Sequence, residues 1–206
     1  MLPRRSLGVL AIGGAMSAAR PARAAEPRLR SGFPALDAAL GGGFRPGSLV
    51  VMLGEAGTGT RRIARIMVVN QRTHVLADEN QSVRENLHFQ ADLLGDGHPA
   101  TVLLQPNMDA AAARRPDNLV SEEILAQLGG HTVFVTASLP RAGEVPPIVG
   151  LERADTLLSV ERGEADDISM RILRHRESPA PRAVPVRLTF DEVQAAWRRT
   201  LRPQRT

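Results

Sequence analysis

The chain lacks cysteine, tyrosine and lysine, and only 3% of its residues are aromatic. Without cysteine it has no disulfide framework, thiolate chemistry or cysteine-based zinc site. Its five histidines are scattered without the paired spacing of a metal site. All 26 basic residues are arginine, so no lysine ammonium exists anywhere in the chain. The apolar residues are mostly aliphatic, which is typical of a buried parallel sheet between helices, and 206 residues are enough for one domain.

The N-terminal segment has no apolar run long enough for a transmembrane helix. Residues 7–19 are uncharged and mostly apolar, but they are too few to span a bilayer. Arg4-Arg5 precedes this stretch, and the small-residue cleavage pattern Ala22-Arg23-Ala24 follows it. This order resembles a twin-arginine (Tat-type) signal peptide over residues 1–24, with a linker at 25–30. The alternatives are an Ala/Arg-rich leader or a mis-assigned start codon.

Use of this leader changes the charge and the location that we expect. Residues 1–24 contain four arginines and no acidic residue, so their removal leaves 22 Arg against 22 Asp+Glu. A neutral mature chain has no overall attraction to DNA. We expect a periplasmic or otherwise exported protein if the leader is used and a cytoplasmic one if it is not. Residues 192–206 are predicted to form a basic, solvated C-terminal tail.

Short apolar runs alternate with helical patterns along the rest of the chain. The predicted strands are residues 49–53, 73–77, 101–104, 132–136 and 156–160, followed by a terminal hairpin of 168–173 and 184–190 around a turn at 174–183. The predicted helices are a short one containing Leu36 and Leu40, then residues 61–70, 82–94 and 120–128. This alternation predicts an α/β fold with a mostly parallel sheet flanked by helices.

A glycine-rich loop joins the first strand to the second helix. It reads Gly54-Glu55-Ala56-Gly57-Thr58-Gly59-Thr60-Arg61. Strand, glycine loop and helix in this order predict a phosphate-binding loop of the pattern G-x-x-x-x-G-K-S/T, whose backbone N–H groups hold phosphates. Thr60 stands at the lysine position and Arg61 at the Ser/Thr position. In an alternative alignment the lysine is deleted and Thr60 is the Mg²⁺ hydroxyl, which still leaves no cation. Arg61 or Arg62 is a candidate to reach a phosphate, although a guanidinium differs in geometry from an ammonium.

Several further motifs resemble the RecA-like ATPase core of DnaB-type replicative helicases. Ser31-Gly32-Phe33-Pro34-Ala35-Leu36-Asp37 is similar to that family's T-G-F-x-x-L-D, and Gly42 to Leu49 to its G-G-x-x-P-G-x-L, an opening shared with RadA and KaiC-type proteins. Glu152, Ala154 and Asp155 resemble its E-x-x-A-D. The ending of the chain, from Leu173 to Asp191, resembles its K-x-R-x-G-P and V-x-L-x-F-D motifs. The resemblance covers residues 31–191.

This resemblance implies a DNA-replication ATPase with ATP and Mg²⁺ as cofactors. The loop residues 54–61 would bind the nucleotide, and Glu79 would be the catalytic glutamate that polarises the attacking water. Arg174 and Arg176 would match the basic pair that reaches the nucleotide of a neighbouring subunit, which implies a homo-oligomer. DNA would be a partner by the same resemblance.

The chain departs from that family at the residues that handle charge. The lysine is missing, Leu103 stands where the Walker B aspartate belongs, and Ser138 replaces a sensor glutamine. The stretch between Glu79 and Thr101 is shorter than in the family. We therefore expect a degenerate nucleotide-binding domain with weak or no hydrolysis. The alternatives are a working ATPase that uses Arg61 or Arg62 with Asp78 or Asp109, an exported interaction domain that keeps only the fold, and a decayed fragment.

Overall fold

The computed structural model describes residues 27–76, 82–85, 99–106, 119–137, 151–177 and 185–201. The predicted leader, residues 1–24, lies outside these ranges. The same holds for Asp78, Glu79, Asp109 and Ser138, and for most of the helix expected at 82–94. None of the described helices is long and apolar enough to cross a bilayer.

A seven-stranded sheet forms the centre of the protein, in the order β2-β3-β4-β1-β5-β6-β7. The strands are β1 Leu49–Gly54, β2 His74–Leu76, β3 Thr101–Leu104, β4 Thr132–Ala137, β5 Thr156–Arg162, β6 Ile168–His175 and β7 Val186–Leu188. β2, β3, β4, β1 and β5 are parallel, whereas β6 runs antiparallel to β5 and β7 antiparallel to β6. The predicted mostly parallel sheet with a C-terminal hairpin is confirmed.

Four α-helices lie wholly within the described ranges: α1 Pro34–Ala39, α2 Thr60–Val69, α3 Glu122–Gln127 and α4 Phe190–Thr200. The described residues 83–85 are also helical. Side chains alternate along each strand, so each strand contributes to two cores. Val50 and Met52 of β1 belong to the core that contains residues of α1, α2 and α4, while Val51 and Leu53 belong to the core that contains Ile124 of α3. β1 is therefore buried on both faces, as its apolar run predicts.

The C-terminal segment differs from the solvated tail that the sequence analysis expects. Thr189 begins α4 with a capping box, in which its hydroxyl accepts from the Glu192 N–H and the Glu192 carboxylate accepts from the Thr189 N–H. Val193 and Ala196 are buried in the core beside α2. Residues 190–200 thus form a helix of the folded unit, because their apolar positions recur at helical spacing.

Arg174 is also placed differently from the prediction, which assigned it to the hairpin turn. β6 continues to His175, and Arg174 pairs with Leu157 of β5 after a register shift between Leu157 and Leu158. The shift lets the ladder extend beyond the apolar run that marked the strand in the sequence. Arg174 is therefore a strand residue with a half-buried side chain.

Candidate functional site

The glycine loop leaves the carboxyl end of β1, in the middle of the sheet. β1 lies between β4 and β5, and Gly54 is its last residue. The carboxyl ends of the parallel strands meet at this edge, which is where open α/β sheets bind ligands. We therefore take residues 54–61 as the centre of the candidate site.

The loop keeps the backbone conformation that its glycines allow. Gly57 and Gly59 adopt φ values of 84° and 81°, a left-handed region that costs L-residues roughly 1–2 kcal/mol. Gly59 is the N-cap of α2 and provides no side-chain cap, and α2 begins at Thr60. The first N–H groups of a helix lack intrahelical partners, which makes a helix start such as that of α2 a favourable position for an anion.

Two threonine hydroxyls occupy the inside of the loop. Thr58 Oγ1 donates to the Glu55 carbonyl oxygen at 2.8 Å, and Thr58 Oγ1 lies 2.7 Å from Thr60 Oγ1. Because the Thr58 hydrogen is used on Glu55, Thr60 is the donor of the second bond. Thr60 is 7% exposed. The residue at the lysine position thus turns a short neutral side chain back into the loop.

Gly54 is the residue that accommodates these hydroxyls. A Cβ added to Gly54 would overlap Thr60 Oγ1 and would lie 2.7 Å from Thr58 Oγ1 and 3.0 Å from the Val160 carbonyl oxygen. By contrast, a Cβ on Gly57 would meet nothing within 4 Å. The first glycine of the loop is therefore required for close packing, and Gly57 for its backbone conformation.

The arginines that follow the loop already have contacts within the chain. Arg62 donates from Nη2 to Gln194 Oε1 at 2.9 Å, and its guanidinium carbon lies 5.3 Å from the centre of the Trp197 ring. Arg65 lies 5.9 Å from the same ring. Arg61 is half-buried. The structure therefore holds Arg62 against α4 and not over the loop, contrary to the alternative in which it contacts a phosphate.

The neighbouring strands supply neutral polar groups at this edge. Leu103, which the sequence analysis aligns with the Walker B aspartate, is buried in the core on the α2 side. The polar residue after β3 is Gln105, which is 5% exposed, and the next strand carries Thr136, which is 2% exposed and whose hydroxyl has no hydrogen-bond partner. Neither residue is among the site residues predicted from sequence, although each is a polar residue at or just after the end of an apolar strand.

No metal centre is formed by the described residues. No group of three or more His, Asp or Glu side chains within them is placed to hold a metal ion. The Ser/Thr position is taken by Arg61, and β3, where the resembled family has its Walker B carboxylate, ends at Leu104 and is followed by the neutral Gln105. The donor set in the described part of the site therefore does not fit Mg²⁺, which prefers carboxylate oxygens.

Arg174 and Arg176 lie at the opposite end of the sheet from the loop. Arg174 pairs with Leu157, and Arg176 donates from its backbone N–H to the Asp155 carbonyl oxygen at 2.8 Å, beside the amino end of β1. β1 is six residues long, so its two ends are roughly 17 Å apart at about 3.3 Å per residue. The structure therefore does not bring these arginines to the loop of their own chain.

The contacts of the two arginines differ. Arg174 donates from Nη2 to the Leu151 carbonyl oxygen, and its Nε is buried without a partner. Arg176 donates from Nη1 to Asp155 Oδ1 at 3.0 Å, and its side chain is 76% exposed. Arg176 is thus the accessible member of the pair, and Arg174 is partly used in holding the turn at Leu151.

No protein-family model matches the chain, and no curated protein matches it. Among solved structures it is similar to the KaiC-like protein PH0186 from the hyperthermophilic archaeon Pyrococcus horikoshii OT3, with a TM-score of 0.51 and 17% sequence identity over 78% of this chain and 93% of that one. The mostly parallel sheet, its helices and this similarity show that the chain has a RecA-like P-loop fold.

Proposed function

We propose that this protein is a DnaB-like RecA domain that binds the phosphates of ATP or ADP weakly through residues 54–61. We propose further that it hydrolyses ATP at a negligible rate. The observation that carries this proposal is the loop itself. It combines two glycines at positive φ with an uncapped helix start at Thr60, and it has a neutral side chain at the lysine position. These features support a phosphate site that relies on the backbone and has no lysine cation.

Weak binding follows from the donors that remain. The N–H groups at the start of α2 and the helix dipole attract an anion. The charge-assisted bond from a lysine is missing, and such a bond contributes about 1.5–3 kcal/mol, or about one to two orders of magnitude in Kd. Glu55 is exposed within the loop and opposes an anion further. Affinity in the high-micromolar to millimolar range is the expected result.

Negligible hydrolysis follows from the groups that stabilise a transferring phosphoryl group. That reaction depends on cations and metal ions aimed at the developing charge. The loop carries Thr60 in place of lysine, and β3 ends without a carboxylate. Glu79 remains the proposed water-polarising residue by resemblance, but a base alone contributes less than the missing electrostatic groups.

The resemblance also supports a homo-oligomer in which Arg174 and Arg176 approach the loop of a neighbouring copy. Their location at the far end of the sheet supports this arrangement, because a residue that serves a neighbour must lie away from its own loop. Arg176 is exposed, and among the described residues its side chain has to leave only Asp155 to do so. Export through the leader is part of the same proposal, since ATP is scarce outside the cytoplasm and selection for hydrolysis would be relaxed.

The proposal is tested by calorimetric titration of the full chain with ATP and ADP, followed by a phosphate-release assay on the same sample. The key variant is Thr60→Lys/Arg61→Thr, which restores G-x-x-x-x-G-K-T and leaves the net charge unchanged. We expect it to bind ATP at least about tenfold more tightly than the wild type, the equivalent of about 1.4 kcal/mol. Arg72→Lys is the matched control, because Arg72 is exposed beyond the end of α2 and the change adds a lysine away from the loop.

Two results would contradict the proposal. Measurable ATP turnover by the wild type means that other groups have replaced the missing ones and that the protein is a working ATPase. Absence of binding by both the wild type and Thr60→Lys/Arg61→Thr, each shown to be folded by circular dichroism, means that the loop is only a structural remnant and that the exported interaction domain is the better interpretation.

A further inference from the structure

The polar groups beside the loop carry an inference about the ligand that the site accepts. We infer that the site takes phosphate without Mg²⁺, with Gln105 and Thr136 donating neutral hydrogen bonds where the resembled family uses a carboxylate-held metal. The inference rests on the proposed function, since it concerns the same loop. It follows from the disagreement between the donor set of the described residues and the chemistry of Mg²⁺.

The sheet register places both residues on the α2 side. Thr136 pairs with Met52 of β1, and Met52 belongs to the core that contains α2. Leu103 belongs to the same core, so the strand alternation places Gln105 two residues later on the same side. β3 and β4 are paired through Leu104 and Val135, which brings Gln105 level with Thr136.

Gln105 and Thr136, which we call the polar row, are level with Met52 of β1, two residues before the start of the loop at Gly54. Met52 and Gly54 are two residues apart on β1 and share the α2 side, where Thr60 Oγ1 approaches Gly54. Gln105, Thr136 and the threonines of the loop therefore line the same face at the carboxyl edge of three adjacent strands. All of these side chains are neutral, and the carboxylate that the described loop does contain, that of Glu55, is exposed.

The hydroxyl of Thr136 is the independent sign of a ligand. It is buried and has no hydrogen-bond partner, and an unpaired buried hydroxyl destabilises a protein unless something satisfies it. Gln105 is a buried amide at the same level, and it offers two N–H donors and one acceptor. A phosphate oxygen accepts from both groups, whereas a carboxylate at this level would repel it and would need a cation between them.

The experiment is calorimetric titration of the full chain with ADP and with inorganic phosphate, in buffer with Mg²⁺ and in buffer with EDTA. We expect Kd for ADP to be equal in the two buffers or lower in EDTA, because Mg²⁺ competes with the protein for the phosphates. Gln105→Asp should weaken binding in EDTA about tenfold and make the residual binding depend on Mg²⁺, since it restores a carboxylate at this position.

Thr136→Val separates a ligand-binding role from a structural one. The change removes the hydroxyl and keeps the shape, so the free protein should keep or raise its Tm as the unpaired group disappears. ADP affinity should fall about threefold to tenfold in both buffers. A variant that lowers Tm and leaves affinity unchanged would assign Thr136 to packing alone and overturn its part in the site.

The possible failures are distinguishable. Binding of ADP only with Mg²⁺ overturns the present inference and leaves the weak nucleotide site in place, and it directs attention to Asp78 and Asp109 as metal ligands. Binding of neither probe by the wild type or by Thr60→Lys/Arg61→Thr overturns the proposed function and this inference together. Gln105→Leu removes the amide. If the wild type binds ADP equally in both buffers and Gln105→Leu has the same Kd, Gln105 is not a hydrogen-bond donor to the phosphate.

Discussion

The two ends of β1 are held in place by different physical means. At the carboxyl end, Gly54 is packed beneath the hydroxyls of Thr58 and Thr60, and the groups near it are neutral apart from Glu55 and the arginines that follow. At the amino end, Asp155 accepts from the Leu49 N–H at 2.9 Å and from Arg176 at 3.0 Å. One end is constrained by steric fit and the other by hydrogen bonds to a charged group.

This difference shows that residues singled out by a motif resemblance also have structural roles. Gly54 has a structural reason to be glycine whatever residue stands at position 60 in the motif, because the threonines fill the space above it. Arg176 and Asp155 likewise have a structural reason to be charged, because they join β1, β5 and β6. Residues that resemble a family's motifs can thus be explained by folding alone.

The largest effect on the free energy of unfolding is expected at the carboxyl end of β1, where Gly54 is closely packed. Gly54→Ala should destabilise the protein by about 1–3 kcal/mol, because the new methyl group overlaps Thr60 Oγ1 and approaches the Val160 carbonyl oxygen. Urea unfolding monitored by the fluorescence of Trp197, the single tryptophan, measures this. Gly163→Ala is the control, since its nearest contact would be 3.3 Å and its φ is not in the left-handed region.

A double-mutant cycle sharpens the assignment to Thr60. Thr60→Ala removes the overlapping oxygen, so Gly54→Ala should cost about 1 kcal/mol less in that background. The 3.0 Å approach to the Val160 carbonyl oxygen remains and prevents full recovery. Additive effects of the two changes would show that the threonine does not set the requirement for glycine.

The charged end predicts an effect of comparable size. Asp155→Ala leaves the Leu49 N–H without its side-chain acceptor and should cost about 1.5–3 kcal/mol, as for a hydrogen bond to a charged group. Asp155→Asn keeps an acceptor oxygen and should cost less. Arg176→Ala should cost at most about 1 kcal/mol, because that side chain is 76% exposed. If Arg176→Ala and Asp155→Ala cost the same, the ion pair and not the backbone bond holds this end.

Local patterns predicted the central architecture from sequence. The apolar run of β1, the glycines after it and the helical pattern of α2 identify the strand, loop and helix, because each depends on neighbouring residues. α4 was missed although Thr189 and Glu192 form a readable capping box ahead of Val193 and Ala196. The arginines of this segment are typical of a solvated tail, whereas the spacing of its apolar residues indicates the helix that the structure contains.

The features that could not be predicted from sequence depend on contacts between residues that are far apart in the chain. Arg62 and Gln194 are 132 positions apart, so no local pattern indicates their hydrogen bond. Arg174 belongs to β6 through a register shift against β5, which depends on a different strand. The polar row of Gln105 and Thr136 is likewise formed only when β3 and β4 pair. Glu79, the proposed catalytic glutamate, lies outside the described residues and stays a prediction.

A smaller effect is expected where the loop end is joined to α4. Arg62→Ala should cost about 1 kcal/mol, since it loses both the bond to Gln194 and the stacking on Trp197. Arg65→Ala should cost about 0.5 kcal/mol, because this arginine is exposed and lies farther from the ring. Both are measured by thermal unfolding followed by circular dichroism. A larger loss in Arg65→Ala would reverse the order that the geometry predicts and show that Gln194 contributes little.

The smallest effect concerns Glu85, whose hydrogen-bond donors are neutral, in contrast to the arginine that faces Asp155. The pKa of Glu85 lies below its ordinary value of 4.5 because the Ser82 backbone N–H, and to a lesser degree the Ser82 hydroxyl, donate to its carboxylate. Since the folded pKa is lowered, this stabilisation is present above the unfolded pKa and is lost as pH falls through the folded value.

Ser82→Ala removes the hydroxyl and keeps the N–H, so the pKa of Glu85 should return only part of the way toward 4.5. NMR titration of the Glu85 carboxyl carbon measures this, with Ser121→Ala, the cap of α3, as a control that should leave the pKa unchanged. A complete return in Ser82→Ala would assign the shift to the hydroxyl and contradict the larger role of the backbone donor.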